Sequence, residues 1–270
     1  EEKKLGREAG DEVEQTIGLV RDPRPLEYVR RVAGRLAQAA QRADIAWQVN
    51  VADDGAPNAF ALPGGWVYVT RGLLALLNTE DELAGVLGHE MSHVTERHAV
   101  RQARASTPFT VLFGVPAAIL GTVSPTLGGI VGGTGQLLSK VTLAPYSRDQ
   151  EREADERGIA LAARAGWDPM GLAASLHALH EEEALAGGDP DRVGFLATHP
   201  SGRERVATIQ DLARRQARAP AAPIAGTRSA FLGRIEGLVA GDNPATGVFL
   251  GTLFVHPDLD AAVEMPAGWK

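Results

Sequence analysis

The sequence of 270 residues contains no cysteine. This absence excludes a disulfide framework, a thiolate metal site and a cysteine nucleophile. A metal ion bound to this chain must therefore be held by histidine, aspartate or glutamate. The sequence also lacks a Gly-x-Ser-x-Gly elbow, so it offers no strong motif for a nucleophilic serine.

The chain has no excess of positive charge, since 34 acidic residues outnumber 27 basic ones and the formal net charge is −7. The two signs are interspersed, and no basic stripe is interleaved with aromatic side chains. This pattern gives no electrostatic basis for binding nucleic acid, so we expect no nucleic-acid partner. With 44% hydrophobic residues, the chain is able to bury a substantial core.

A long unbroken apolar run is also missing. Residues 105–139 carry no charged side chain, and their length alone could accommodate a membrane span. Three prolines and seven glycines interrupt the segment, so no apolar run approaches the roughly 20 residues of a spanning helix. We expect a buried or partly exposed helical hairpin here rather than a membrane span.

Histidine is scarce, yet three of the seven histidines lie within ten positions of VLGHEMSHVTERH, residues 86–98. On a helix that begins after Thr79, His89 and His93 lie about 40° apart, so both imidazoles can face one cation. Glu90 lies about 100° from His89 and can reach a water molecule at the metal without coordinating the ion. A chance His-Glu-x-x-His string is the alternative, but the predicted helix supplies the context that the motif requires.

Two imidazoles do not complete a catalytic zinc site, which normally has three protein ligands and an open fourth position. His98 lies about 180° around the same helix from His89, so we expect it to be structural unless the helix breaks. Glu151 and Asp155 lie four apart on a second helix, capped by Ser147, and are the better candidates. Carboxylates in such a charged run are also typical of a solvated helix face, which is the alternative for this helix.

With HEMSH at 89–93 and EREAD at 151–155, the sequence resembles the M48 family of zinc metallopeptidases. These are gluzincins in which HExxH is followed by Glu-x-x-x-Asp. The resemblance extends over three further stretches: NAFALPGGWVYVTRGLL at 58–74, ARAGWDP at 163–169 and THPSGRERV at 198–206. It covers approximately residues 1–215. The implied zinc ligands are His89, His93 and Glu151.

The resemblance also implies that Glu90 is the general base and that Asp155 steadies the ligands. His199 and Arg205, from a His-Pro-x-x-x-x-Arg pattern, are implied to lie near the catalytic water or the transition-state oxygen. His199 would either fill the fourth zinc position, giving a latent enzyme, or donate to the tetrahedral oxyanion. An exposed surface histidine is the alternative.

The predicted fold class is α+β, mainly α-helical: a zincin-like metalloprotease domain with a small β-sheet beside the HExxH helix. Helical spacing predicts helices over 4–20 and 24–42, alternation predicts a strand over 45–52, and 58–70 should form two extended runs around Pro63. Capping-box spacing predicts helix starts at three places, and Asp168-Pro169 should open a further helix. The capping pairs are Thr79 with Glu82, Ser147 with Gln150, and Ser201 with Glu204.

We expect three parts along the chain. Residues 1–215 should form the peptidase domain, 216–224 an Ala/Pro/Arg-rich linker, and 225–270 the start of an incomplete C-terminal β-rich segment. The resemblance favours the periplasmic branch of the family, and it implies that a signal or lipoprotein peptide precedes Glu1. Localisation in the periplasm or at the cell envelope is therefore expected.

The resulting functional hypothesis is a zinc-dependent endopeptidase, with one Zn²⁺ per chain, for unfolded or misassembled cell-envelope proteins. The alternative is a metal-bound chaperone or binding module with little or latent proteolysis. Expected partners are polypeptide substrates, with peripheral contact to the membrane or to outer-membrane assembly machinery; the oligomeric state stays open. We expect substrate backbone to pair with an edge strand at Asn58, Ala59, Phe60 and Ala61, and residues 105–139 to form a mobile cover over the cleft.

Overall fold

The computed structural model describes residues 2–40, 42–106, 145–185, 194–241 and 243–266. The α-helices in these ranges are α1 (Glu2–Thr16), α2 (Pro23–Ala40), α3 (Arg71–Leu76), α4 (Glu80–Thr95), α5 (His98–Ser106), α6 (Arg148–Arg164), α7 (Gly171–Leu185), α8 (Phe195–Thr198), α9 (Arg203–Arg214) and α10 (Arg228–Ile235). The strands are β1 (Gln48–Ala52), β2 (Ala59–Leu62), β3 (Trp66–Thr70), β4 (Val248–Leu250), β5 (Leu253–His256) and β6 (Ala261–Glu264). This confirms the predicted α+β class with mainly helical structure. Residues 107–139 of the expected hairpin and cover lie outside the described ranges.

The first sheet lies beside the helix that carries His-Glu-x-x-His. Its strand order is β1-β3-β2, with β1 parallel and β2 antiparallel to β3. The turn between β2 and β3 has φ values of +81° at Gly64 and +113° at Gly65, a region that side chains with a Cβ rarely adopt. The predicted pair of extended runs is therefore a β-hairpin, and β2 forms one edge of the described sheet.

Helix α4 lies at the centre of the molecule. Every residue from Glu82 to Val94 is buried, and the helix contacts α6, α7, α2 and the first sheet. Thr79 caps it as predicted, because its hydroxyl accepts a hydrogen bond from the Glu82 amide at 3.2 Å. The side chains of α4 are therefore held by packing on all sides.

Two of the three capping predictions are confirmed. Ser147 and Gln150 form the complete capping box at the start of α6. The Ser201 prediction was wrong, because Gly202 is the N-cap of α9 and no side chain caps it. Glycine is tolerated at this position without a side-chain bond.

Helices α4 and α6 touch through their backbones at two glycines. A Cβ built on Gly158 would lie 2.7 Å from the His89 amide nitrogen, and one on Gly88 would lie 2.9 Å from the Gly158 carbonyl oxygen. Neither distance leaves room for a side chain. The two helices can therefore approach closely enough for short carboxylate side chains on α6 to reach the histidines of α4.

The buried carboxylate of Glu80 ties the chain beyond residue 215 to the start of α4. It accepts hydrogen bonds from the Ile224 and Ala225 amides, the Tyr28 hydroxyl and the Trp167 indole. These contacts hold the end of the 216–224 stretch, predicted to be a linker, against the helical core.

The packed core also continues beyond that stretch. Phe231 of α10, a helix that was not predicted, packs against the Tyr28 ring with centroids 6.0 Å apart. Phe231 and Ile235 belong to the same hydrophobic core as α2 and α4. The proposed division of the chain into domains stays a prediction.

The remaining strands form a second, antiparallel sheet of order β4-β5-β6. Arg71, only 3% exposed, connects the residues that precede this second sheet with the end of β1. It pairs with Asp53 at 2.5 Å and donates to the Val239 carbonyl at 2.7 Å. Among the helices of the described ranges, none combines the length and hydropathy needed to cross a membrane.

Candidate metal centre

His89 and His93 project from α4 into the interior, where they are 0% and 2% exposed. Their Nε2 atoms lie 3.0 Å apart, as expected for imidazoles one helical turn apart that face the same point. Two ring nitrogens at this separation repel each other unless a proton or a cation lies between them. The pair therefore has the form of a chelate.

Glu151 comes from the first turn of α6 and is 3% exposed. Its Oε1 lies 3.4 Å from His93 Nε2, and its Oε2 lies 3.7 Å from His89 Nε2. Burial alone would raise the pKa of Glu151, but the imidazole of His199, with those of His93 and His89, outweighs burial and lowers it. The carboxylate is therefore stabilised in the charged form that binds metal ions.

His199 lies between α8 and α9 and is 1% exposed, so the alternative of a surface histidine is excluded. Its Nδ1 lies 2.9 Å from Glu151 Oε1 and 3.2 Å from His89 Nε2. The Phe195 ring stacks on the imidazole at 4.4 Å between centroids and fixes its plane. His199 is therefore held with one nitrogen directed at the other three groups.

These four residues fit a zinc ion. One ligand atom from each of His89, His93, Glu151 and His199 can be chosen so that all lie within 4.8 Å of one another. The contacts among them measure 2.9 to 3.7 Å. Tetrahedral zinc with ligands at about 2.0 to 2.1 Å requires separations of about 3.3 to 3.4 Å. Imidazole and carboxylate donors are also the types that zinc accepts in a chain without cysteine.

Glu90 is fully buried beside this group. Within the described residues neither of its carboxylate oxygens has a hydrogen-bond partner; its Oε1 lies 3.4 Å from His199 Nε2. Burial raises the pKa of Glu90, since the charged form loses water. A buried carboxylate with unused acceptors and a raised pKa is suited to take up a proton.

Asp155 and Arg205 contact members of this group of four residues. Asp155 Oδ1 lies 2.9 Å from His89 Nδ1, the ring nitrogen that faces away from the other three groups. Arg205 contacts Asp155 with two nitrogens at 2.8 Å each, and its Nη1 lies 2.7 Å from Glu151 Oε2. Because the guanidinium is engaged by both carboxylates, this geometry favours a positioning role for Arg205 over the implied direct contact with the reacting oxygen.

His98 lies next to the site, because the expected continuous helix breaks. Helix α4 ends at Thr95, Arg97 has a φ of +57°, and the reversed chain starts α5 at His98. The fully buried His98 ring then places Nδ1 2.9 Å from His93 Nδ1 and Nε2 3.1 Å from Glu153 Oε2. Glu153, which belongs to the charged run for which a solvated helix face was the alternative, is thus connected to the site; neither position carried a spacing signal in the sequence.

Tyr146 is a further neighbour that the sequence reasoning missed. Its ring stacks on His93 at 4.0 Å between centroids, with 24° between the ring planes. It also lines a small cavity together with His93, Ala61 and Leu62. The cavity therefore lies between the end of β2 and the C-terminal end of α4, where His93 lies.

Of the four predicted substrate-binding residues, Ala61 lines this cavity. Ala59, Phe60 and Ala61 belong to the edge strand β2, and the Asn58 amide donates to the Thr70 hydroxyl at 2.9 Å. Phe60 stacks on Tyr68 at 5.0 Å between centroids. Pairing of substrate with this edge stays a prediction.

Comparisons with known proteins agree with this geometry. The sequence profile described as Peptidase family M48 matches residues 23–213. The mitochondrial metalloendopeptidase OMA1 of Schizosaccharomyces pombe is 32% identical over 213 residues, which are 78% of this chain and 60% of the relative. The putative beta-barrel assembly-enhancing protease of Vibrio cholerae is 32% identical over 203 residues, 73% of this chain and 40% of the relative.

The beta-barrel assembly-enhancing protease of Escherichia coli K12 is 29% identical over 203 residues, 72% of this chain and 40% of the relative. The chain therefore spans only 40% to 60% of the length of these three relatives. All seven residues of the candidate site, from His89 to Arg205, fall within the matched range of the family profile.

Proposed function

The chain belongs to peptidase family M48, and on this basis we propose that it is a zinc-dependent endopeptidase. The observation that carries the proposal is the convergence of His89, His93, Glu151 and His199 in the protein interior. Buried carboxylates and imidazoles are costly unless they are paired or bind a cation, so this arrangement is best explained by a metal site.

The proposed zinc ligands are His89, His93 and Glu151. A zinc ion bound there would act as a Lewis acid that polarises the peptide carbonyl and lowers the pKa of water. Glu90 would accept one proton from that water as the oxygen attacks the carbonyl carbon. It would then deliver the proton to the amine nitrogen when the C–N bond breaks, so that the carboxylate is regenerated without a covalent intermediate.

Asp155 and Arg205 would hold the ligands in place. Asp155, next to His89 Nδ1, would fix the imidazole with its proton on Nδ1 and its lone pair on Nε2 toward the metal. Arg205, which contacts the carboxylates of both Asp155 and Glu151, would in turn fix their orientation and their separation. Outer partners of this kind typically matter about 10- to 100-fold in metal affinity or activity.

His199 would control access to the fourth position. Its Nδ1 lies among the other three ligand groups, which supports a resting state closed by a fourth protein ligand. Displacement of this imidazole by substrate would then open the site; donation from Nε2, which lies near Glu90, to the developing oxyanion is the alternative role. The same observation favours a second candidate function, a metal-bound envelope chaperone with latent proteolysis.

We further propose that the substrates are unfolded or misassembled cell-envelope proteins in the periplasm, with peripheral contact to outer-membrane assembly machinery. The support comes from relatives that are named as beta-barrel assembly-enhancing proteases. Substrate backbone would pair with the β2 edge at Asn58, Ala59, Phe60 and Ala61, beside the cavity that leads to His93.

The test combines metal analysis with proteolysis of casein and of a denatured outer-membrane protein. The zinc-loaded protein should cleave both, and Glu90→Gln should stop cleavage while zinc content stays at one ion per chain. Glu156→Gln is the matched control, because it makes the same charge change on the exposed face of α6. Cleavage by Glu90→Gln at the rate of the control would refute the proposal. Binding of unfolded substrate without any cleavage would support the chaperone instead.

A further inference from the structure

The outer nitrogen of His93 leads away from the candidate metal site along a second pair of side chains. His93 Nδ1 contacts His98 Nδ1 at 2.9 Å, and His98 Nε2 contacts Glu153 Oε2 at 3.1 Å. Nδ1 of His89 meets the carboxylate of Asp155 directly, whereas Nδ1 of His93 reaches a carboxylate only through another imidazole. The mechanism proposed above uses neither His98 nor Glu153.

The direction of each hydrogen bond in this chain follows from elementary chemistry. If His93 presents the Nε2 lone pair to a metal, its neutral ring carries the proton on Nδ1 and must donate outward. His98 Nδ1 then has to accept, so the proton of His98 is on Nε2. Glu153 is an acceptor-only carboxylate and can take that proton in a hydrogen bond. All three groups are satisfied in this one direction.

The fold holds each side chain of this hydrogen-bonded series in place. Arg97, in the left-handed region, reverses the chain so that His98 lies back against His93. Gln150 donates to the His98 carbonyl at 3.1 Å, and Arg101 contacts Glu153 at 2.5 Å. The His98 ring is fully buried, so its nitrogens are shielded from bulk solvent.

One helix supplies both ends of the arrangement. Glu151 and Glu153 are two residues apart on α6, about 200° around the axis, and they therefore point in different directions. Glu151 faces the metal site, whereas Glu153 faces α5 and reaches His98. The position of α6 thus sets both a metal ligand and the terminal acceptor.

We propose that His98 and Glu153 are positioning residues that fix the orientation and proton placement of the metal ligand His93. The inference rests on the proposed zinc site. Its consequence is that Glu153, although partly exposed and remote from the four ligand groups, contributes to metal affinity.

Three variants at partly or fully exposed positions of α6 test this with little risk to the fold. Glu153→Ala removes the terminal acceptor, Glu153→Gln keeps an acceptor oxygen without the charge, and Glu156→Ala removes an exposed acidic group from the same helix. Zinc affinity is measured by competition with a chromophoric chelator. We expect Glu153→Ala to bind zinc about tenfold more weakly, at the low end for outer partners because it is one residue further out. Glu153→Gln should lose less, and Glu156→Ala should match the wild type.

A second readout reports the proton positions directly. Long-range ¹H–¹⁵N spectra of the zinc-loaded, histidine-labelled protein should show His98 protonated at Nε2 and not at Nδ1. Without zinc the wild type should keep this tautomer, because Glu153 still accepts the Nε2 proton in a hydrogen bond, whereas Glu153→Ala without zinc should show a mixture of tautomers. A merely structural contact would leave this signature unchanged.

Two results would overturn the inference alone: equal zinc affinity for Glu153→Ala and Glu156→Ala, or His98 protonated at Nδ1 in the zinc form. A wild-type protein that binds no zinc, or one whose zinc content is unaffected by Glu151→Ala, would instead overturn the proposed metal site and this inference with it.

Discussion

Replacement of Glu80 by glutamine should destabilise the protein and leave the zinc content of the candidate metal site unchanged. Glu80 is 2% exposed and accepts four hydrogen bonds. Trp167 Nε1 and the Ile224 amide donate to Oε1, both at 2.7 Å, and the Tyr28 hydroxyl and the Ala225 amide donate to Oε2 at 2.8 and 2.5 Å. Glutamine keeps one acceptor oxygen and replaces the other by an NH₂ group.

The structure determines which way the new amide turns. With NH₂ at the Oε1 position, two obligate donors, the Trp167 indole and the Ile224 amide, would face it. With NH₂ at the Oε2 position, the Tyr28 hydroxyl can rotate to accept, and only the Ala225 amide loses its acceptor. One unsatisfied buried donor costs about 1–3 kcal/mol, and the remaining bonds lose their charge assistance. We therefore expect the free energy of unfolding to fall by about 2–4 kcal/mol.

Urea unfolding followed by tryptophan fluorescence measures this loss, since Trp167 is fully buried beside Glu80. Tyr28→Phe is the control: it removes one donor and leaves Oε2 bonded to Ala225, so its cost should be about 1.5–3 kcal/mol, the value of one bond to a charged group, and smaller than that of Glu80→Gln. Zinc content should be unchanged in both variants. A loss below about 1 kcal/mol for Glu80→Gln would refute the reasoning, because the Ala225 amide would then have found another partner.

Three further predictions concern the site itself. His199→Ala should retain or increase cleavage and reduce the resting protein ligands from four to three in X-ray absorption spectra; a loss of about 100-fold in kcat with unchanged resting coordination would identify an oxyanion donor instead. Arg205→Lys should weaken zinc binding about tenfold in chelator competition, because lysine cannot pair with two oxygens of Asp155 at once; unchanged affinity with a lower kcat would argue for direct action on the transition state. Glu151→Ala should lose most of its zinc by elemental analysis whereas Glu156→Ala should not, and equal retention would contradict the ligand assignment.

The parts of the site that the sequence predicts are those that depend on local geometry. His89 and His93 lie on one face because four residues make about one helical turn, and this holds wherever the helix packs. The same applies to Thr79 and Ser147, whose side chains bond to amides only three residues away. The pairing of Glu151 with these histidines came from family resemblance and not from spacing.

Other features depend on contacts that no local pattern carries. The break at Arg97 lacks the glycine or proline that would announce it, so the arrival of His98 beside His93 could not be read from the sequence. The attachment of residues 224 and 225 depends on a carboxylate about 145 positions earlier, and the prediction of a linker considered composition alone. At the start of α9, Ser201 had the right spacing, yet the helix begins one residue later with Gly202 at the N-cap, and nothing in the structure explains this shift.

The contact of Gly88 with Gly158 has a consequence for how the determinants of this site can be mapped. Alanine scanning finds residues whose side chains matter by removing atoms, and these two positions have no side chain to remove. Their contribution is empty space, which lets two backbones meet and so sets the gap that a metal ion would fill. Only the addition of a methyl group reveals it: Gly158→Ala would have to push α6 away from the His89 amide. The spacing of the candidate metal centre thus depends on the absence of a side chain at both glycines.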